Sequence, residues 1–377
     1  MASKPAKRKS IHATKLNFRP TMSDVNVEFK GTKPTSEPTS IKEIFVLMVL
    51  YLCKKSLFFD TNLKVALYLA CLFLVSLIAD VATIPRIYLS RSDNIFNKYF
   101  VKFAWGWNLL LLVPFVIFTS YIYCCGQLKR ILQHHMPRLV IATLSWYFWT
   151  NLFNYIEASF GRCQFKQFSS KESCLKQGHI WNGFDTSGHS FILIYGSLVL
   201  IEETRCMVNW DSIKEYLRLE DHNRATRETE QSTNPLRYLS QEEFKTLQFN
   251  YEKYTPYIRS LFIIITLFQV MWDVMLICTM LYYHVMIEKF LGGSIAILTW
   301  FFTYRVWYVN PNILPKLPGE GVFKYIKKVV EKPVMGAQRR RTGSIVNGNS
   351  GPMFMGRPIY TTQSGGSGED ESPGGSR

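Results

Sequence analysis

Apolar positions along this chain gather into membrane-length blocks. Six runs stand out, at about 63–82, 99–122, 138–154, 188–206, 258–283 and 291–308. A bilayer core of roughly 30 Å takes about 20 helical residues at about 1.5 Å each. Each run therefore predicts a transmembrane helix. None alternates with the period of two that a barrel strand requires. The expected fold class is an all-α polytopic membrane protein with six transmembrane helices. A shorter apolar run, 44–53, is broken by Lys54-Lys55. It predicts an interfacial helix over 44–60, with its lysines reaching the headgroups.

The polar stretches set the remaining boundaries. Residues 1–43 are rich in Lys, Ser, Thr and Pro and lack the apolar core of a signal peptide, so a disordered arm is expected. The membrane domain covers 61–310. It carries a polar loop, 155–187, and a charged insert, 207–257, whose stretch 211–230 predicts a solvated surface helix. Pro137 suits the first turn of the third span. The short turn Val285–Phe290 makes spans five and six antiparallel neighbours. From 311 to 377 a basic patch at Lys324, Lys327 and Lys328 gives way to Gly, Ser and acid. That composition predicts a disordered tail, held near its start to the membrane surface.

Charge orients these elements. The chain has 44 Lys+Arg against 28 Asp+Glu, a net +16. With both termini on one side of six spans, that side holds 30 Lys+Arg and the opposite loops hold 7. This asymmetry predicts cytosolic termini. The basic residues are not interleaved with aromatics, so nucleic acid is not an expected partner. Cys163 and Cys174 share loop 155–187, which this topology places away from the cytosol, where a disulfide persists. No Cys or His spacing matches a metal site, and neither metal nor other cofactor is expected.

The candidate chemistry lies at two span ends. Ser187-Gly188-His189 opens span four. Ser187 is a natural N-cap, Gly188 leaves room for a ligand, and a helix's first turn offers N–H groups to phosphate. His284 ends span five. The topology puts both imidazoles on one side of the membrane, as a general acid and a nucleophile acting on phosphorus require. Ser187, Gly188, Lys98, Lys102 and Lys289 are the candidate substrate contacts. Helix dipoles favour imidazolium at His284 and disfavour it at His189, which by itself makes His284 the proton donor. His179 lies in the same loop as the cysteines, and His134 and His135 fall on the cytosolic side. Asp273, inside span five, is expected to line a polar cleft or pair with another helix. Arg305 is expected to snorkel.

Several separated stretches carry a family resemblance. They are Trp181 to Leu193 continuing to Glu202-Glu203, Tyr88-Leu89-Ser90 with Asn97 to Trp105, and Cys278 to His284 with Trp300 to Tyr304 and Trp307-Tyr308. Together they resemble the fat storage-inducing transmembrane family over most of residues 60–310. The arm, the insert and the tail depart from its compact form. The resemblance implies a six-span protein of the endoplasmic reticulum with a lipid phosphatase-like helical core and cytosolic termini. It implies fatty acyl-coenzyme A as substrate, cleaved at the diphosphate to acyl 4′-phosphopantetheine and adenosine 3′,5′-bisphosphate. The two catalytic histidines of the family fall on His189 and His284. Roles in lipid-droplet formation and partners such as diacylglycerol, triacylglycerol and reticulum membrane lipids are also implied. A non-enzymatic protein that partitions neutral lipid is the competing expectation. By analogy with lipid phosphatases His284 would attack and His189 would protonate, the reverse of the dipole argument, so the roles stay open on sequence. No clear arginine-rich phosphate clamp stands beside them.

Overall fold

The computed structural model describes residues 40–91, 93–165, 170–226, 234–310 and 313–325, with backbone alone at 353–354 and 357–358. The arm before residue 40 and the basic residues Lys327 and Lys328 lie outside the described residues. Ten helices follow in order among the described residues. They are α1 (Ile41–Leu57), α2 (Thr61–Val81), α3 (Ala104–Tyr123), the single turn α4 (Leu128–Arg130), α5 (Met136–Phe160), α6 (Lys171–Lys176), α7 (Gly188–Glu203), α8 (Ser212–Thr226), α9 (Gln241–Tyr282) and α10 (Met286–Trp300). π-helical turns lead into α3 over Phe96–Val101 and into α5 over Ile131–His135, and extend α10 over Phe301–Trp307. In the separate C-terminal unit a two-residue pair, β3 (Met353–Phe354) with β4 (Arg357–Pro358), is antiparallel.

Local chemistry sets the helix starts. The Asp60 carboxylate accepts the N–H of Asn62 at the start of α2. Ser240 and Glu243 cap each other's backbone at the start of α9. Pro137 occupies the first turn of α5.

Four of these helices, α2, α3, α9 and α10 with its extension, are long and apolar enough to cross a membrane. α5 and α7 occupy the other two expected runs. α7 has only 16 residues and is the central helix. It packs against α10, α9, α3 and α5, and every residue from Ser190 to Glu203 is buried. Glycines permit the close crossings. A Cβ on Gly196 would stand 2.4 Å from Asn108 Nδ2, and one on Gly293 would stand 2.3 Å from Leu72 Cδ1.

Several surface expectations are corrected by packing. The insert's helix α8 lies at the surface but buries one face, with Ile213 and Leu217 packed inward beside the buried Trp210, and α9 starts within the insert and runs on unbroken. Residues 313–325 are not a loose tail start. Phe323 and Tyr325 are buried, Tyr325 donates to Cys206 O at 3.1 Å, and Val322 N–H donates to Tyr123 O at 2.9 Å. Lys54 pairs with Asp211 at 2.8 Å instead of extending to headgroups. Arg305 likewise pairs with Glu202 at 3.0 Å. Asp273, by contrast, pairs with another helix as expected, meeting Lys64 at 3.1 Å and Tyr68 at 2.5 Å on α2.

A fully buried ion pair closes the end of the bundle where α7 finishes. Arg138 meets Glu203 at 2.8 Å, both with 0% side-chain exposure. Tyr304 donates to Glu203 at 2.7 Å, and Arg138 donates to Lys316 O at 2.5 Å. His135 lies 2.9 Å from Arg138, and burial with that guanidinium pushes its pKa down to about 2.

Candidate active site

The opposite end of the bundle carries the histidines. Ser187 caps α7, its Oγ accepting from the Ser190 N–H at 3.3 Å. His189 then emerges from the first turn. Its Nε2 lies 3.2 Å from Asn97 Oδ1, and its ring stacks on Tyr283 at 6.2 Å with an 8° tilt. His284 follows the end of α9 with φ +56°, the left-handed region that few side chains adopt. That conformation reverses the chain into α10, whose first N–H, on Met286, donates to Asp80 at 2.7 Å.

Carboxylates hold the second imidazole. His284 Nδ1 lies 3.3 Å from Glu288 and 3.6 Å from Asp185. The other Glu288 oxygen accepts the Asp185 N–H at 3.3 Å, and the Glu288 carbonyl accepts the Ser187 N–H at 3.2 Å. The first turn of α10 thus binds both the His284 ring and the segment leading into His189. A Cβ on Gly292 would meet Ser187 O at 2.6 Å, so this contact requires glycine. Burial raises the Asp185 pKa above the ordinary carboxylate range; His284 opposes the rise, while Glu157 and Glu288 add to it.

Both imidazoles line one cleft of about 380 Å³. Its polar side includes Lys102, Asp185, Thr186 and Gly188, and its apolar side Val101, Trp146, Phe153 and Ile192. An apolar groove of about 290 Å³ lies along α3 and α5, lined by Leu109, Val113, Leu139, Val140 and Thr143. Leu139, Thr143, Trp146, Thr150 and Phe153 share a helical spacing on α5, so one helix face links groove and cleft. The arrangement suits an amphiphile with an anionic head.

The structure sorts the expected contacts. His189, His284, Gly188 and Lys102 line the cleft. Ser187 is fully buried and serves as the cap. Lys98 is exposed outside the cleft, over the Tyr99 ring at 5.3 Å. Lys289 is no cleft cation: it is 1% exposed, donates to Met280 O at 2.7 Å and lies 3.8 Å from Asp80. One residue along a helix is a turn of about 100°, so Glu288 faces the histidine while Lys289 faces the α9–α10 reversal. The sequence reading missed Asn97, Asp185, Tyr283 and Glu288 as neighbours of the histidines. The spacing of four from His284 to Glu288 was the available signal. Among the described residues no group of three or more His, Cys, Asp or Glu is placed to hold a metal.

The loop before the site is braced. Cys163 and Cys174 are disulfide-bonded with Cα atoms 5.9 Å apart. β1 (Arg162–Cys163) pairs antiparallel with β2 (Trp181–Asn182), and Trp181 donates to Glu157 O at 3.1 Å. His179 packs at a tilt against the Phe165 ring, with centroids 4.5 Å apart, and does not line the cleft.

The profile of the fat storage-inducing transmembrane proteins matches residues 85–304. The chain is 50% identical to acyl-coenzyme A diphosphatase FITM2 of Drosophila melanogaster, over 94% of this chain and 89% of that protein. It is 33% identical to the protein of the same name from Danio rerio, over 65% of this chain and 86% of that protein. The Xenopus laevis counterpart is 31% identical, over 66% and 84% respectively. No solved structure matches the chain.

Proposed function

Because the chain belongs to the fat storage-inducing transmembrane family, we propose that it is a fatty acyl-coenzyme A diphosphatase. The observation that carries this reading is the placement of His189 and His284 in one cleft with a polar head region and an apolar wall. The relatives' names give the substrate class: acyl-coenzyme A, cleaved at its diphosphate. The acyl chain would lie along the α5 face toward the apolar groove, and the diphosphate between the imidazoles near Lys102.

One hydrogen bond favours the assignment taken from the lipid phosphatases. Glu288 accepts from the His284 Nδ1–H, which leaves the Nε2 lone pair for attack. We therefore assign His284 as nucleophile. Nε2 bonds to one phosphorus, and the bond from that phosphorus to the bridging oxygen breaks. The leaving phosphate keeps the electron pair and takes a proton from His189. Water then cleaves the phosphohistidine, releasing the second phosphate ester and restoring the imidazole. The products are acyl 4′-phosphopantetheine and adenosine 3′,5′-bisphosphate.

The proposed setting follows the charge asymmetry. Six spans with cytosolic termini would put the cleft on the luminal face of the endoplasmic reticulum, a setting that favours the Cys163–Cys174 bond. Clearing acyl-coenzyme A there would support reticulum lipid homeostasis and lipid-droplet formation. Lys98 could still meet the phosphates of membrane lipids at the rim, while Ser187 acts through the cap.

Purified protein in micelles tests the activity. Oleoyl-coenzyme A should yield adenosine 3′,5′-bisphosphate, and His189→Ala or His284→Ala should each lower kcat by about 10³-fold or more. Full activity in both variants overturns the proposal. The groove along α3 and α5 also favours a second reading, storage of diacylglycerol or triacylglycerol between helices. Neutral-lipid binding that survives both substitutions, without product release, would select it.

A further inference from the structure

Beside the histidine cleft lies a second pocket, of about 760 Å³, whose lining includes Arg86, Tyr88, Arg91, Asp93, Tyr282 and Tyr283. Its volume is that of a small-molecule site. The two arginines are exposed, and among the described residues neither guanidinium has an ion pair or side-chain hydrogen bond. The surrounding loop is nonetheless held in place. Tyr282 donates to Pro85 O at 3.2 Å, Tyr283 donates to Ser90 O at 3.1 Å, and the Ile95 N–H donates to the Tyr88 hydroxyl at 3.3 Å. Fixed backbone, aromatic rings and two unspent guanidinium groups make a site for an anionic aromatic ligand.

Tyr283 joins this pocket to the reaction site. Its ring stacks on His189, while His284, the next residue, lines the other cleft. A ligand spanning both pockets therefore carries one phosphate group at the histidines and another at the arginines, with an aromatic body between or beyond them. We propose that the pocket of Arg86 and Arg91 binds the adenosine 3′-phosphate of coenzyme A, with Tyr88 or Tyr282 against the adenine. This rests on the diphosphatase reading and extends it to substrate selection. The 3′-phosphate sits on the same ribose that bears the diphosphate, so the two must fall in adjoining sites. Asp93 would repel a phosphate placed beside it, which directs that group to the arginines and leaves the carboxylate for a ribose hydroxyl or the adenine amine.

The test compares oleoyl-coenzyme A with its 3′-dephospho form, in neutral detergent micelles free of phospholipid. The wild type should show a KM at least about tenfold lower for the 3′-phosphorylated substrate, at similar kcat. The Arg86→Gln/Arg91→Gln double variant should lose that preference, with equal KM values for both substrates. Arg→Lys replacements should restore part of it, which a merely structural role would not do. No preference in the wild type, or a preference intact in the double variant, overturns the proposal. A second measurement does not depend on turnover. Calorimetric titration with adenosine 3′,5′-bisphosphate and with adenosine 5′-monophosphate should show tighter binding of the former, lost in the double variant. If neither substrate is cleaved but this difference holds, the diphosphatase reading fails and the nucleotide pocket stands. If both nucleotides bind alike and the double variant loses only its association with vesicles containing phosphatidylserine, the arginines hold lipid headgroups and the pocket proposal fails.

Discussion

Glu288 lies 3.3 Å from His284 Nδ1 and, through its other carboxylate oxygen, accepts the backbone N–H of Asp185 at 3.3 Å. One side chain therefore ties the imidazole ring to the segment that leads into His189. Glu288→Gln should lower kcat by about 10²-fold with little change in KM, because the amide no longer fixes the tautomer that leaves Nε2 free. Steady-state kinetics on oleoyl-coenzyme A check this; a loss confined to KM would point to substrate binding instead.

A nucleophilic His284 predicts a covalent intermediate. Substrate labelled in the diphosphate and quenched rapidly should leave an acid-labile, alkali-stable phosphate on the protein. The label should be absent in His284→Ala. An unlabelled wild type under single-turnover conditions would shift the role of His284 to activating water.

Gly292 offers a steric test of the same junction. Alanine there places Cβ 2.6 Å from Ser187 O, a backbone atom that must move. Gly292→Ala should displace the start of α7 and lower kcat about tenfold or more while helix content by circular dichroism stays unchanged. Gly188→Ala is the control for folding, since its Cβ would meet nothing within 4 Å; its melting temperature should match the wild type.

At the other end, Glu203→Gln leaves the buried Arg138 without its counter-charge and should destabilise the protein by about 3–5 kcal/mol. Replacing both partners, as Arg138→Met with Glu203→Leu, should recover much of that loss, because an apolar pair avoids burying an unmatched charge. Thermal unfolding in micelles distinguishes the two variants.

His135 predicts a pH dependence of stability. Its folded pKa is pushed down to about 2 by burial and the Arg138 guanidinium. The unfolded chain binds a proton at this residue below about pH 6.5, while the fold refuses it. Stability should therefore be complete above about pH 6.5 and fall as pH drops below it, by up to about 1.4 kcal/mol per pH unit from this group. His135→Gln should flatten the slope of melting temperature between pH 7.5 and 5; an unchanged slope assigns it to other groups.

Much of this architecture is legible in the chain because lipid acts on composition over whole segments. A run of about 20 apolar residues has few options other than a helix, and its period needs no partner to be read. The candidate site was legible in part for a different reason: a Ser-Gly-His at a helix start and a histidine at a helix end announce themselves locally. The fate of the charges was not legible. Lys54, Arg305 and Lys289 all resemble snorkelling or substrate-binding cations when read singly. Asp211, Glu202 and the Met280 carbonyl that occupy them lie 157, 103 and 9 residues away. The packing of Phe323 and Tyr325 is hidden in the same way, among turn-forming residues that look like tail.

The sequence by itself determined the helical class, the long apolar helices and the choice of His189 and His284 as candidates, since each depends on patterns within a turn or a segment. Tertiary structure alone decided that α7 is the central helix, that Glu288 and Asp185 flank His284, that Asn97 meets His189, and that Tyr283 separates the histidine cleft from the arginine pocket. These are contacts between elements, and their geometry depends on which helices cross at Gly196, Gly292 and Gly293 and how closely the missing Cβ atoms let them approach.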